Sequence, residues 1–187
     1  MMIRPATPDD AEALMELRLD AERWLAQAGI DQWHDPATRT PALQKWRRDI
    51  ADGRTWVVDG GSSVVATITL ASPDRDFWHE PDHPGSAVYV AKLITARSAK
   101  GRGLGGRLLD WAGGQARLQG LPWVRLDCWR SNSELQKFYL REGFRHIRTE
   151  APSHRLSGWL GQRPASMVRY PEAARLLPEP EGVEVAV

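Results

Sequence analysis

Hydrophobic positions along the chain follow two periods, and their order predicts a mixed α/β fold. Apolar residues recurring every three to four positions predict helices over residues 7–28, 41–50, 104–116 and 131–141. Short runs rich in β-branched and aromatic residues predict strands at 2–4, 56–59, 64–71, 87–95, 123–128, 144–149 and 165–170. The turn residues at 59–62, Asp-Gly-Gly-Ser, join the second and third of these strands into a predicted hairpin.

Local signals mark where some of these elements begin and end. Thr7 and Pro8 are a capping residue and a first-turn proline, and Ser131 followed by Glu134 matches a capping box. Residues 72–86 contain three prolines and no periodicity, which predicts a long loop of the kind that often carries function. We expect one domain over residues 1–171 and a flexible tail over 172–187, where prolines alternate with acids.

Composition narrows the class of protein. The chain has 187 residues with a net charge of +1, which gives no overall attraction to nucleic acid or to a membrane surface. A single cysteine, Cys128, excludes an internal disulfide framework. There is no leader pattern at the start and no apolar run near 18 residues, so the expected location is cytoplasmic.

The glycine-rich stretch at 101–106, Gly-Arg-Gly-Leu-Gly-Gly, lies between a predicted strand and a predicted helix. Glycine lets the backbone approach a ligand, and the free amides at a helix start attract an anion, preferably a phosphate. The basic residues around the stretch are Lys92, Arg97, Lys100, Arg102 and Arg107. A flexible surface turn in a solvated basic patch is the alternative.

The stretch fits two other phosphate-binding motifs, the dinucleotide fingerprint and the P-loop, poorly. It satisfies G-x-G-x-x-G, with Asp127 near the position of a ribose-binding acid, but polar residues 97–100 separate the strand from the first glycine. A dinucleotide fold would also need more chain downstream. A P-loop is excluded because Arg107 and Leu108 stand where Lys and Ser or Thr are required.

Two motifs together resemble the GNAT superfamily of N-acetyltransferases. The first is Leu93-Ile94-Thr95, a gap of four residues, and then residues 100–105. The second is the stretch 126–144, LDCWRSNSELQKFYLREGF. Their order and separation match the family. Lys100 departs from it, because the family usually has Arg or Gln there, and lysine keeps the charge without the guanidinium fork.

The resemblance implies a mixed, mostly antiparallel sheet, splayed after the fourth strand and flanked by helices, with acetyl-coenzyme A in the splay. The main chain of Leu93 and Thr95 would pair with the pantetheine, amides from Arg102 to Gly106 would hold the pyrophosphate, and Asn132 would bond the pantetheine arm. The full cofactor set implied is Leu93, Ile94, Thr95, Lys100, Gly101, Arg102, Gly103, Leu104, Gly105, Gly106, Asn132 and Tyr139.

Direct acetyl transfer needs an unprotonated amine, a donor for the oxyanion and a proton for the departing thiolate. By resemblance Tyr139 lies near the sulfur as the acid, unless it is a core aromatic, and an amide near Leu93 is the oxyanion donor. Glu80, in the loop before the central strand, is our candidate general base, and a solvated loop acid is the alternative.

Two other residue patterns, a zinc-binding motif and a cysteine nucleophile, are poorly supported. Residues 79–83 spell the H-E-x-x-H zinc pattern, but Pro81 and Pro84 prevent the helix that would bring both histidines to one face. Cys128 has no nucleophile signature around it. We therefore expect no metal site.

Nine tryptophans are many for this length. Several lie near segments that would border the acceptor side of a GNAT fold, and an aromatic wall with a few polar groups suits a small amine. The acceptor residues expected are Trp24, Gln32, Trp33, Trp78, Trp129 and Arg130. A coenzyme A-binding module without turnover, and a protein or peptide N-acetyltransferase, are the alternatives. The fold often forms homodimers.

Overall fold

The structure, a computed structural model, describes residues 1–171. The strands are β1 Met2–Pro5, β2 Thr55–Asp59, β3 Val64–Ala71, β4 Ala87–Thr95, β5 Trp123–Trp129, β6 Arg145–Thr149 and β7 Ser157–Pro164. The helices are α1 Ala11–Gln27, α2 Arg39–Ala51, α3 Leu104–Leu118 and α4 Ser133–Arg141. The tail predicted at 172–187 lies outside the described residues.

The strands form one mixed sheet in the order β1-β2-β3-β4-β5-β7-β6. Every neighbouring pair is antiparallel except β4 and β5, which are parallel because α3 crosses between them. The predicted mixed, mostly antiparallel sheet flanked by helices is therefore confirmed.

The helices cover both faces of the sheet. α1 and α2 pack on one face, where Leu14 and Trp46 meet Val57 of β2 and Ile94 of β4. On the other face, α3 and α4 pack over apolar residues that alternate along β3, β4 and β5. The strand residues therefore divide into an α1/α2 face and an α3/α4 face, and this division decides which side chains share a site.

The last strand differs from the prediction. Residues 165–170 are not a strand, and β7 is formed instead by Ser157–Pro164. The Ala165 amide still donates to the Pro122 carbonyl, which extends the pairing with β5 by one bond, and the amides of Arg169 and Tyr170 then bond to the Asp110 carboxylate. That carboxylate also pairs at 2.8 Å with Arg163, whose side chain is fully buried, so α3 and β7 are joined through a buried charge pair.

The capping box also differs in detail. Asn132, not Ser131, is the N-cap of α4, and its side-chain oxygen accepts from the Leu135 amide at 3.0 Å. The glycine pair at 113–114 remains helical within α3.

Candidate active site

A fork opens in the centre of the sheet. β4 and β5 pair only at Ala87 with Trp123, Val88 with Val124 and Tyr89 with Arg125, although β4 continues to Thr95 and β5 to Trp129. The two strands therefore diverge beyond Tyr89, which is the splay after the fourth strand that the resemblance implied.

A cavity of about 670 Å³ lies along this fork. Its walls come from α1 and the loop after it, from the end of β4, from the start of α3 and from α4. Most of the predicted cofactor residues line it, namely Leu93, Ile94, Thr95, Lys100, Gly101, Gly103, Leu104, Gly105, Asn132 and Tyr139. Arg102 and Gly106 belong to the same loop and helix but do not line the cavity.

The start of α3 presents free backbone amides to the cavity. Gly103 is the N-cap with φ +66°, and no side chain caps the helix. The first amide to reach a carbonyl in the helix is that of Arg107, which bonds to Gly103 at 3.0 Å. The preceding amides of the first turn have no acceptor within the helix, so they can hold an anion. This site fits the diphosphate of coenzyme A.

Two glycines of the motif lie in close contact with aromatic rings. A Cβ on Gly105 would lie 3.0 Å from the Phe138 ring, and one on Gly106 would lie 2.2 Å from the Tyr170 ring. Gly106 therefore lets α3 approach the chain after β7, whereas Gly105 brings α3 close to α4 beside the cavity. The motif combines an anion site with a close helix contact.

The end of β4 carries a bulge. Thr67 faces Ile94 and Thr69 faces Ala91, so Ile68 alone opposes two β4 residues, Lys92 and Leu93. Lys92 has φ +50°, and its ammonium group donates to Asp49 of α2 at 2.5 Å. Burial lowers the pKa of Lys92 to about 8, although the Asp49 carboxylate opposes that shift.

The backbone direction of Thr95 follows from the ladder. Thr95 is opposite Ala66, and the Ala96 amide donates to the Val65 carbonyl at 2.8 Å. In an antiparallel pair this bond marks Thr95 and Ala66 as a non-hydrogen-bonded pair. The Thr95 amide and carbonyl therefore point away from β3 and into the fork.

The loop between α1 and α2 is fastened across the fork to the start of α4. Gln32 and Asn132 are both buried, and the Asn132 amide donates to the Gln32 side-chain oxygen at 2.6 Å. Beside them the Asp31 carboxylate accepts from the Trp129 indole at 3.0 Å and from the Ser131 hydroxyl at 2.5 Å. Of these residues, Gln32 and Asn132 line the cavity.

Tyr139 projects from α4 to the cavity. Its ring contacts those of Phe138 and Phe144, at centroid distances of 5.3 and 5.5 Å. Burial raises the pKa of its phenol far above the usual value, and the nearby Cys128 and Asp127 add to that shift. The phenol is therefore protonated at neutral pH.

The predicted acceptor residues divide into two groups. Trp24, Gln32 and Trp33 line the cavity. Trp78 does not, because it is buried on the α1/α2 face with its ring 5.7 Å from that of Tyr89. Trp129 and Arg130 are also outside the lining, since the indole bonds to Asp31 and the guanidinium donates to the Arg155 carbonyl at 2.6 Å.

Glu80 is not brought to the cavity. It begins an exposed 3-10 turn, Glu80–Asp82, its side chain is 86% exposed, and it pairs with Arg75 at 3.0 Å. Pro81 in the same turn interrupts the H-E-x-x-H stretch. Residues 1–171 contain no group of three or more His, Cys, Asp or Glu side chains that could bind a metal ion.

Arg97 is among the cavity residues that sequence reasoning about the acceptor side missed. Arg97 lines the cavity with its guanidinium 4.6 Å from the centre of the Trp24 ring, a cation–π contact between the β4–α3 loop and α1. The basic cluster around the glycines includes Arg97, but the aromatic partner of Arg97 lies 73 positions earlier.

None of the helices within 1–171 combines the length and apolar character that crossing a bilayer requires.

Known proteins resemble this chain in sequence and fold. Residues 12–144 match the family model described as the acetyltransferase (GNAT) family. The uncharacterized N-acetyltransferase YesJ of Bacillus subtilis (strain 168) is 28% identical over 156 residues, which cover 81% of this chain and 86% of YesJ.

Two solved structures share the fold. A GNAT-family acetyltransferase from Listeria monocytogenes 4b F2365 superposes with a TM-score of 0.68 at 22% identity, covering 87% of this chain and 94% of its own. The PaiA N-acetyltransferase from Thermoplasma acidophilum, crystallised with coenzyme A, gives a TM-score of 0.66 at 18% identity, covering 87% and 97%. At these identities the likeness concerns the fold alone.

Proposed function

The chain belongs to the acetyltransferase (GNAT) family, and we propose that it transfers an acetyl group from acetyl-coenzyme A to a primary amine of a small molecule by direct attack. The observation that carries this proposal is the cavity along the β4–β5 fork, which joins free helix amides, an unpaired strand edge and a buried phenol in one space. Coenzyme A is also the ligand named for the PaiA structure.

The residues at the phosphate end bind rather than react. The amides of Leu104 and Gly105, with the dipole of α3, hold the diphosphate, and Lys100 adds positive charge beside them. Thr95 pairs its outward amide and carbonyl with the pantetheine, as an added strand would. Bound in this way, the cofactor supplies an activated acetyl thioester in the fork.

The residues at the reacting end stabilise the developing negative charge and supply a proton. A backbone amide near Leu93 donates to the thioester carbonyl oxygen as negative charge develops there. Tyr139 donates its phenolic proton to the departing sulfur. The phenol carries the proton that this role requires at neutral pH.

The lining of the cavity supports a small acceptor. Trp24 and Trp33 supply flat apolar walls, and Gln32 adds a polar group. The Gln32–Asn132 bond closes one side, which leaves less room for a folded protein than for a small amine. A single domain over 1–171, a cytoplasmic location and a homodimer complete the proposal.

The test is thiol release from acetyl-coenzyme A in the presence of a panel of polyamines, amino acids, aminoglycosides and peptides. We expect release with a subset of the small primary amines. Coenzyme binding by calorimetry without release for any amine would favour the binding module, and release with peptides alone would favour peptide acetylation.

A thermal-shift measurement separates the cofactor classes. Acetyl-coenzyme A should raise the Tm, because a ligand of the native state stabilises it by mass action, whereas NAD should not. A shift with NAD and none with coenzyme A would contradict the proposal.

A further inference from the structure

One carboxylate of the fold lacks the partner that the others have. The acids that are buried or partly buried within residues 1–171, apart from Asp127, each lie within 3.6 Å of an arginine or lysine nitrogen. They are Asp10, Glu22, Asp49, Asp59, Asp74, Asp76, Asp82, Asp110 and Glu142. Asp127 is partly buried and has no such partner in this part of the chain.

Asp127 lies where the sheet divides. It is two residues beyond Arg125, the last β5 residue paired with β4, so its side chain is on the same face as Arg125. Arg125 is opposite Tyr89, and both contact Trp78 on the α1/α2 face. Asp127 therefore lies at the apex of the fork, on the α1/α2 face and not on the face covered by α3.

Neighbouring elements enclose most of Asp127. Trp129, two residues further along β5 on the same face, is covered by the Asp31 loop through the indole bond. The charged groups whose fields act on the Asp127 carboxyl are Asp74 from the loop after β3, Arg155 from the β6–β7 loop and Lys45 from α2. Arg155 is engaged elsewhere, donating to Asp74 at 2.6 Å and also to Asp76.

These surroundings make the Asp127 carboxyl a weaker acid, and its carboxylate a stronger base, than those of an exposed aspartate. Burial raises its pKa, Asp74 adds to the shift, and the Ser157 hydroxyl with Arg155 and Lys45 opposes it. A buried carboxylate without a cation destabilises the native state, so it is expected where chemistry requires it. Its charge also reaches the Tyr139 phenol at the cavity.

We propose that Asp127 binds the ammonium group of the acceptor at the apex of the fork and accepts its proton, so that the acceptor is a cationic primary amine entering from the α1/α2 face. The proposal rests on the proposed function and replaces Glu80 as the base. Asp127 attracts a positive group because no lysine or arginine within residues 1–171 forms an ion pair with it.

The proton balance is complete without another reactant. Asp127 takes one proton from the ammonium nitrogen, which frees the lone pair that forms the new C–N bond as the C–S bond breaks. The nitrogen loses a second proton when the amide forms, and this proton restores the Tyr139 phenol, whose own proton has passed to the departing sulfur. The thiol product keeps one proton, and the other passes to solvent, which restores the Asp127 carboxylate.

The experiment compares the wild-type protein with Asp127→Asn, which keeps shape but cannot accept the proton. We expect turnover to fall about 10²- to 10⁴-fold, with coenzyme affinity by calorimetry unchanged. The loss should shrink for an acceptor amine of low pKa, which is already neutral at the assay pH and needs no base. Glu16→Gln, at an exposed carboxylate of α1, is the matched control, and Glu80→Gln tests the rival base.

A second readout does not use activity. In protein with ¹³C-labelled aspartate, one carboxyl signal should titrate above the usual aspartate range, disappear in Asp127→Asn and shift when n-butylamine is added. The Asn variant should also unfold at a temperature equal to or above wild type at pH 7. That advantage should vanish below about pH 4, where the carboxyl is neutral in both states.

The outcomes distinguish the two proposals. Amine acetylation that survives Asp127→Asn, with the same dependence on amine pKa, would overturn the role of Asp127 and leave the acetyltransferase standing. A carboxyl signal that responds to n-butylamine in a protein that acetylates no amine would support the ammonium site and overturn the proposed function. A carboxyl that titrates normally and ignores the amine would overturn the Asp127 site.

Discussion

Replacing Gln32 by methionine tests whether the cofactor takes over a hydrogen bond that the protein makes by itself. Gln32 accepts from the Asn132 amide at 2.6 Å, and both side chains are buried. Methionine has nearly the same length but cannot accept this bond. The Asn132 donor then remains buried without a partner, while its oxygen still caps the Leu135 amide.

The expected magnitude follows from the burial. An unsatisfied buried donor costs about 1–3 kcal/mol. For a chain of this size each kcal/mol lowers the Tm by roughly 2–4 °C, so Gln32→Met should melt about 2–12 °C below wild type. If pantetheine offers Asn132 a new acceptor, the penalty is absent in the complex. Coenzyme A should then bind Gln32→Met about 5- to 150-fold more tightly.

The assay is thermal denaturation with and without coenzyme A, combined with calorimetry. Gln44→Met, at an exposed glutamine of α2, is the control and should change the Tm by little. A lower Tm with unchanged coenzyme affinity would show that Asn132 keeps Gln32 in the complex. An unchanged Tm would refute the idea that the bond stabilises the free protein.

Three further predictions concern the cavity. Tyr139→Phe keeps the ring contacts but lacks the proton, so single-turnover thiol release should slow about 10²- to 10⁴-fold with coenzyme affinity intact; near-normal release would make Tyr139 a packing residue. Gly105→Val should lose coenzyme binding by calorimetry because its Cβ would be 3.0 Å from Phe138, whereas Gly114→Val, with 3.7 Å to its nearest neighbour, should bind normally. Coenzyme A should slow hydrogen exchange at the Thr95 amide, with the Ala96 amide as the already bonded reference, and an unchanged Thr95 rate would contradict the strand-like pairing.

The cofactor side was predictable because its signals are local. β4, the glycine loop and α3 follow one another without interruption, so residue order and periodicity were enough to predict the anion site, and the resemblance to the GNAT superfamily implied the fork beside it. The last strand was not predictable in this way. Residues 157–164 contain two glycines and a proline, and they form a strand because β5 and β6 pair with them on either side. Residues 165–170 look more like a strand, but Asp110 binds their last two amides instead.

The acceptor side was harder because its contacts join distant parts of the sequence. Trp78 and Glu80 precede β4 directly, and proximity in sequence suggested proximity to the site. The loop instead folds over the α1/α2 face, where Arg148 binds the Asp82 carboxylate at 2.7 Å and Arg155 binds Asp74. Those ion pairs span more than 60 positions, and no local pattern indicates them.

The same loop still influences the fork, through charge and not through a base of its own. Arg155 is one of two cations, with Lys45, that act on the Asp127 charge, and the loop carboxylates Asp74 and Asp76 hold it in ion pairs. Engaged there, its guanidinium does not reach salt-bridge distance from Asp127. A direct Arg155–Asp127 pair would lower the pKa of the Asp127 carboxyl and weaken it as a base, as opposite charges do. The long loop that the sequence marked as functional therefore has a physical role in the proposed chemistry: it keeps Arg155 occupied and away from Asp127.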